Sequence, residues 1–247
     1  MGWEYRELKP LPEKHVMVIG IPDVGLVGPI ATSFLVKNLK LELAGYLDSE
    51  TLPPLMLFHD SKPLMPLRIY SDSKTLSVFY SEIALPPSEM HSFSDYLMKL
   101  VTESGVERII MLGGIAVPNR MSIEKPKVYV AAVREEDRKF FSEKNFLLLK
   151  EGFVSGAYAT ILKQCYKRGF SGIALLAESH LNYPDPGAAA SVLNSLSSIL
   201  NVKIDVKPLL EQEEEIRVKL RELMRRTMES MRTSGKEYEF TVPAMYA

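Results

Sequence analysis

The sequence predicts an α/β fold, with a mostly parallel or mixed central sheet flanked by helices and a long C-terminal helix and flexible tail appended to it. Three observations predict it. Short apolar runs of strand length alternate with segments of helical period, several strand-to-helix joints are glycine turns, and the chain becomes charged and helical after residue 207.

The elements follow in order. His15–Gly20 reads as a short buried strand, followed by a glycine-rich turn and a helix over Leu26–Leu39. Leu41–Leu47, Pro54–His59 and Leu76–Tyr80 read as further strands. Pro86-Pro87-Ser88-Glu89 opens a helix, with Ser88 as its cap, that runs to Ser104-Gly105. Arg108–Gly113 is the next strand and ends in Gly113-Gly114. Val128–Ala132 (strand), Glu135–Ser142 (helix), Ser155–Arg168 (helix, Ser155 as cap), Gly172–Ala177 (strand) and Pro186–Leu200 (helix) continue the alternation, and Lys203–Val206 is a brief extended piece. This pattern divides the chain into an α/β domain over 1–207, an amphipathic helix over 208–232 and a tail over 233–247.

Composition narrows the function classes. With 46% hydrophobic residues in 247, the chain can bury a large core. Thirty basic against 31 acidic residues indicate no broad electrostatic grip on nucleic acid or an anionic membrane. No apolar run approaches the ~20 residues needed to span a bilayer, and the charged start MGWEYRELKP does not read as a signal sequence, so a cytoplasmic protein is expected. The single cysteine, Cys165, lies on an apolar helical face and reads as structural.

The glycine loops fail as catalytic motifs. From Gly20 the phosphate-loop spacing reaches Gly25, but Leu26 and Val27 stand where Lys and Ser/Thr are needed, and Asp23 occupies the first glycine of the dinucleotide pattern ahead of Gly25 and Gly28. Asp23 reads as a cap for Val24–Leu26. Ser155 sits one place late for a nucleophile elbow, in Gly152-Phe153-Val154-Ser155-Gly156. His15, His59, His91 and His180 lack metal-ligand spacing, so neither metal nor cofactor is expected. Glu178, His180 and Asp185 form the most catalytic-looking trio. The simpler reading of Tyr183-Pro184-Asp185-Pro186 is a rigid turn in which Asp185 caps a helix with Pro186 at its first position.

After Pro208 the charge order, with Glu211, Glu213, Glu214 and Glu215 first and Arg225, Arg226 and Arg232 last, suits the dipole of one long helix to Met231. Ile216, Leu220, Leu223, Met224, Thr227, Met228 and Met231 mark one face. That stripe packs on its own domain, forms a homo-oligomer contact, or grips unfolded clients. Thr233–Ala247 carries Ser234-Gly235 and Pro243 and reads as a tether ending in Met245-Tyr246-Ala247.

Four loops carry a resemblance: Gly20–Gly28, Gly113-Gly114-Ile115, Gly152–Gly156 and Tyr183–Ala189, in that order. Over residues 15–200 the chain resembles the proteasome assembly chaperone family, its archaeal members in particular, and the hydrophobic-Tyr-any ending of Met245-Tyr246-Ala247 resembles the HbYX tail of the archaeal homologue B type. The resemblance implies a nucleoside-phosphorylase-like fold, no catalytic residue, self-association as a tetramer, and binding of that tail between the α-subunits of the 20S proteasome. It leaves open assembly chaperone versus ATP-independent gate opening. Two other expectations stand beside it: an enzyme acting on a nucleoside or other small molecule at the Gly20–Gly28 and Glu178–Asp185 loops, and a general holdase.

Overall fold

The computed structural model describes residues 2–233. In chain order the strands and helices are β1 (Glu4–Glu7), β2 (His15–Gly20), α1 (Val27–Asn38), β3 (Glu42–Asp48), β4 (Leu57–His59), β5 (Lys62–Leu64), β6 (Leu67–Ser71), β7 (Leu76–Ser81), α2 (Met90–Glu103), β8 (Val106–Ala116), β9 (Val128–Ala132), α3 (Glu135–Glu143), β10 (Leu147–Leu148), α4 (Gly156–Arg168), β11 (Ser171–Ser179), α5 (Pro186–Leu200), α6 (Lys207–Glu211), α7 (Glu213–Lys219) and α8 (Arg221–Thr233).

The main sheet is mixed and has nine strands in the order β1-β3-β6-β7-β2-β8-β11-β9-β10. Its centre, β7-β2-β8-β11, is parallel. Antiparallel pairs extend it on both sides, through β6 on one and β9 on the other. Alternation along the central strands shows that both faces are covered. Met17, Ile19, Ile109, Met111, Ala174 and Leu176 join the core under α2 and α4. Val18, Ile110, Leu112, Ile173 and Leu175 join the opposite core under α1 and α5. A strand buried on both sides reads as a continuous apolar run, which is why HVMVIG and the strand around Ile109–Leu112 are conspicuous in the sequence.

Several expectations need correction. Pro54–His59 contributes only β4, which pairs with β5 in a separate two-stranded hairpin. The sequence reading missed β6, whose Arg68 is buried in the Leu67–Ser71 run and interrupts an apolar pattern that would otherwise read as strand. Ser88 is not a cap: it lies inside a 3-10 turn over Pro87–Glu89, and α2 starts at Met90.

The single C-terminal helix is instead three consecutive pieces, with Gln212 and Leu220 off helical geometry at φ/ψ of −100/16 and −95/5. Hydrogen bonds from Ile216 N to Gln212 O and from Met224 N to Leu220 O carry the helical ladder across both bends. Neither bend contains glycine or proline. Both Leu209, before them, and Met224, after them, reach the core on the α1/α5 face, so the bends let the segment follow a curved surface. No helix among the described residues is long and apolar enough to cross a membrane.

Candidate functional site

Three loops meet at the carboxyl ends of β2, β8 and β11. The first follows β2, where Gly25 has φ +60 and Leu26 φ 50, so two consecutive residues are left-handed before α1 begins. Gly25 is required twice over. Its backbone favours glycine, and a methyl there would collide with Ser179 Oγ. Gly28 lets α1 approach the sheet, since a Cβ would stand 2.6 Å from Leu112 O and 2.7 Å from the Tyr158 hydroxyl. That hydroxyl binds the loop to the sheet: it accepts from Ile21 N at 3.0 Å and lies 2.6 Å from Leu112 O and 3.2 Å from Ile21 O. Burial pushes the Tyr158 phenol well above the usual range, so it stays neutral.

Asp185 is the hub of the other two loops. Fully buried, it accepts from Ala188 N at 2.9 Å as the cap of α5, and from His180 N at 3.0 Å. Arg120, from the loop after β8, meets the same carboxylate with Nε at 2.7 Å and Nη2 at 2.9 Å, and its Nη1 donates to Ile123 O. The backbone of Asp185 donates to Gly25 O at 2.8 Å. One carboxylate and one guanidinium thus pin together the Gly25, Arg120 and His180–Gly187 loops. A bidentate pair suits this task because it fixes orientation as well as distance.

The trio Glu178, His180 and Asp185 does not assemble as a catalytic group. Glu178 accepts from Lys127 N at 2.9 Å and lies 3.4 Å from the Tyr129 hydroxyl, on the side of β11 that faces β9. Asp185 is committed to Arg120. His180 stands edge-on to Tyr183 with ring centres 6.2 Å apart, and burial, opposed by Asp185, holds its pKa below the ordinary 6.5. Asp23 and Ser155 occupy the positions expected of caps, ahead of Val24–Leu26 and α4, but neither side chain makes the cap hydrogen bond. Among the described residues no group of three His, Cys, Asp or Glu side chains could hold a metal ion.

Gly113 and Gly114 lie buried within β8, against Tyr158 and the Val24 carbonyl, and Gly20 lies against Thr32. Gly152 and Gly156 precede and open α4. Pro184 and Pro186 are buried on either side of Asp185.

The C-terminal helices close over this end of the sheet. Thr227, Met224 and Met231 are buried, and Ser230 Oγ donates to Leu85 O at 2.9 Å. Ile216, Leu220, Leu223 and Met228 are partly buried against the α1/α5 core. The stripe therefore packs on its own domain, and its inner residues are not a free oligomer or client surface. Ile21, Pro22 and Asp23 share only a gap of about 20 Å³ with Thr227, Ser230 and Met231. A much larger open cleft, about 1240 Å³, runs between the 180–187 loop and α7 and α8; Arg120, His180, Tyr183, Arg217, Val218 and Arg221 are among its walls. The two loops expected to share an enzyme pocket do not: one lies beneath α8 and the other faces the cleft.

A family model described as the PAC2 family matches residues 17–224. The chain belongs to the PAC2 family. Among its relatives, an uncharacterized protein of Methanocaldococcus jannaschii is 30% identical over 229 residues, covering 92% of each chain. Crystal structures of this fold include Pyrococcus furiosus PbaA, an archaeal homolog of proteasome-assembly chaperone, similar at TM-score 0.85 and 30% identity over 92% of this chain and 99% of PbaA. Pyrococcus furiosus PbaB, an archaeal proteasome activator, is similar at TM-score 0.75 and 24% identity over 90% of this chain and 98% of PbaB. At that identity PbaB shows a shared fold. Arg120 is the site residue that sequence reasoning missed; a lone arginine in a Pro-Asn-Arg-Met loop carries no signal of its distant partner. Met245, Tyr246 and Ala247 lie outside the described residues.

Proposed function

We propose that this PAC2-family chain is a non-enzymatic proteasome-binding protein, an assembly chaperone or ATP-independent activator. The observation that carries this reading is the nearly end-to-end similarity to PbaA at 30% identity. In this reading the partners are 20S α-subunits in the cytoplasm, and the contact is made by the terminal tripeptide. The Ala247 carboxylate pairs with a basic pocket residue, the Tyr246 ring supplies an apolar body with a hydrogen-bonding tip, and Met245 fills apolar space. Several tails on one symmetric oligomer, a tetramer by family resemblance, would add avidity. The loops described above support the absence of catalysis, because their carboxylates are spent on backbone amides and on Arg120.

The test is capture of 20S α-subunits by the intact chain beside Tyr246→Ala. Tight binding by the parent and at least tenfold weaker binding by the variant, about 1.4 kcal/mol, is expected. Equal binding by both removes the tail from the mechanism. Failure of the intact chain to bind removes the proteasome reading itself.

A further inference from the structure

The large cleft between the 180–187 loop and α7 and α8 has two walls of different chemistry. The helix wall carries Arg217, Arg221, Arg225 and Arg232, and the loop wall, which includes the Arg120 turn, carries Met121, Tyr183 and Pro184. Among the described residues five arginines and three glutamates line the cleft, in a chain whose formal net charge is −1, so the cleft is locally cationic. Part of that charge is unmatched. Arg217 pairs with Glu213, and Arg225 with Glu222 and Glu229, but among the described residues Arg221 and Arg232 have no carboxylate within ion-pair distance. The walls lie within electrostatic reach of each other, since Arg217 and Glu213 both act on His180 of the loop.

Large apolar side chains stand in solvent along the same cleft: Met121 at 93% exposure, Tyr183 at 65% and Val218 at 56%. Arginine, tyrosine and methionine are side chains that protein interfaces concentrate, and arginine clusters are a recurring means of gripping acidic segments. The helix wall from Arg217 to Arg232 is about 22 Å long at ~1.5 Å per residue, which is the length of about seven extended residues at ~3.3 Å each. An extended chain turns successive side chains to opposite sides. One that alternates acidic with large apolar residues therefore offers carboxylates to the arginines and apolar groups to Met121 and Tyr183. Glu124, beside the Arg120 turn, also lines the cleft and disfavours a carboxylate on the loop side.

We propose that this cleft is a docking site for an acidic segment of another protein, bound extended, with alternate carboxylates on Arg221 and Arg232 and the intervening apolar side chains against Met121 and Tyr183. Docking gives two open guanidinium groups their acceptors and removes exposed apolar surface from water. The cleft is separate from the terminal tripeptide, so this proposal stands or falls independently of the proteasome contact above.

The experiment is a fluorescence anisotropy titration of the full chain into a labelled eight-residue peptide in which Glu alternates with Tyr or Val. Two control peptides accompany it, one with Lys for every Glu and one of the same composition with its four Glu in a block. Saturable binding of the alternating acidic peptide, at least tenfold tighter than either control, is expected. Arg221→Glu should weaken the acidic peptide at least tenfold and tighten the Lys peptide, a gain that a loosened fold would not produce. Should Arg221→Glu lose both peptides, Val218→Asp decides: at this exposed position it should still weaken the acidic peptide at least tenfold, and an unchanged affinity overturns the proposal. Absence of saturable binding by the parent, equal affinity for the acidic and Lys peptides, or affinity indifferent to Arg221→Glu overturns it as well. A fall in the mass of the chain by light scattering when the peptide is added assigns the cleft to a second copy and overturns docking of a different protein.

Discussion

Asp185 could be assigned a role from the sequence because its cues are local: prolines on both sides and a helical run after it mark a cap, and the structure has Ala188 N on its carboxylate. Arg120 could not, because its partner lies 65 residues away and nothing in its neighbourhood records the pairing. Breaking that buried pair strands a charge, so Arg120→Ala should cost about 3–5 kcal/mol in a denaturant titration, more than ordinary surface changes. His15 makes a second prediction. Buried at 2% exposure, it has Nδ1 2.8 Å from Pro12 O, and Nε2 has no partner among the described residues. Protonation would therefore bury an N–H without an acceptor, and burial holds the pKa below 6.5. The folded state then binds fewer protons than the unfolded one. Stability is complete above pH 6.5 and declines as the pH falls through the window below it, and His15→Asn should flatten that decline in thermal melts between pH 7.5 and 5.5. Burial also pushes the Cys165 thiol up to about 12, so it should resist iodoacetamide at pH 8 until the chain is denatured.

At the scale of elements, the central strands buried on both faces were the plainest in the sequence, and those it hid are short, exposed or interrupted by a buried charge. β1, at the outer edge of the sheet, is as exposed as its EYRE sequence suggests. The C-terminal stripe was legible as a face but not as a destination, because periodicity identifies an apolar side without naming what covers it. The structure places Met224 against the α1/α5 core and Met231 over the loop after β2. The double change Leu220→Asp with Met224→Asp is thus expected to lower the melting temperature sharply with no change in mass by light scattering, since an unpaired carboxylate would be desolvated. A smaller oligomer with unchanged stability would instead assign the stripe to a subunit contact.

At the scale of the molecule, the loops after β2, β8 and β11, spaced far apart along the chain, are drawn to one end of the sheet by the parallel strands they follow. Their order and spacing were readable from the sequence. Their convergence was not, because it depends on which strands lie next to each other. Extending the chain beyond Ala247 should weaken α-subunit binding as much as Tyr246→Ala does in a titration, because the carboxylate would move out of its pocket.

The strand order also has a consequence for how the chain is made. Val16 of β2 pairs with Arg108 of β8, and Arg108 pairs with Ser171 of β11, so no two strands of the parallel trio are neighbours in sequence. On a ribosome, β2 emerges long before either strand that will lie beside it. β7 can cover one edge of its apolar run, but the other must wait unpaired until β8 has been synthesised, and the sheet centre is complete only once Ser179 is out. During its own synthesis the chain is thus exposed to the hazard of an unpaired hydrophobic strand.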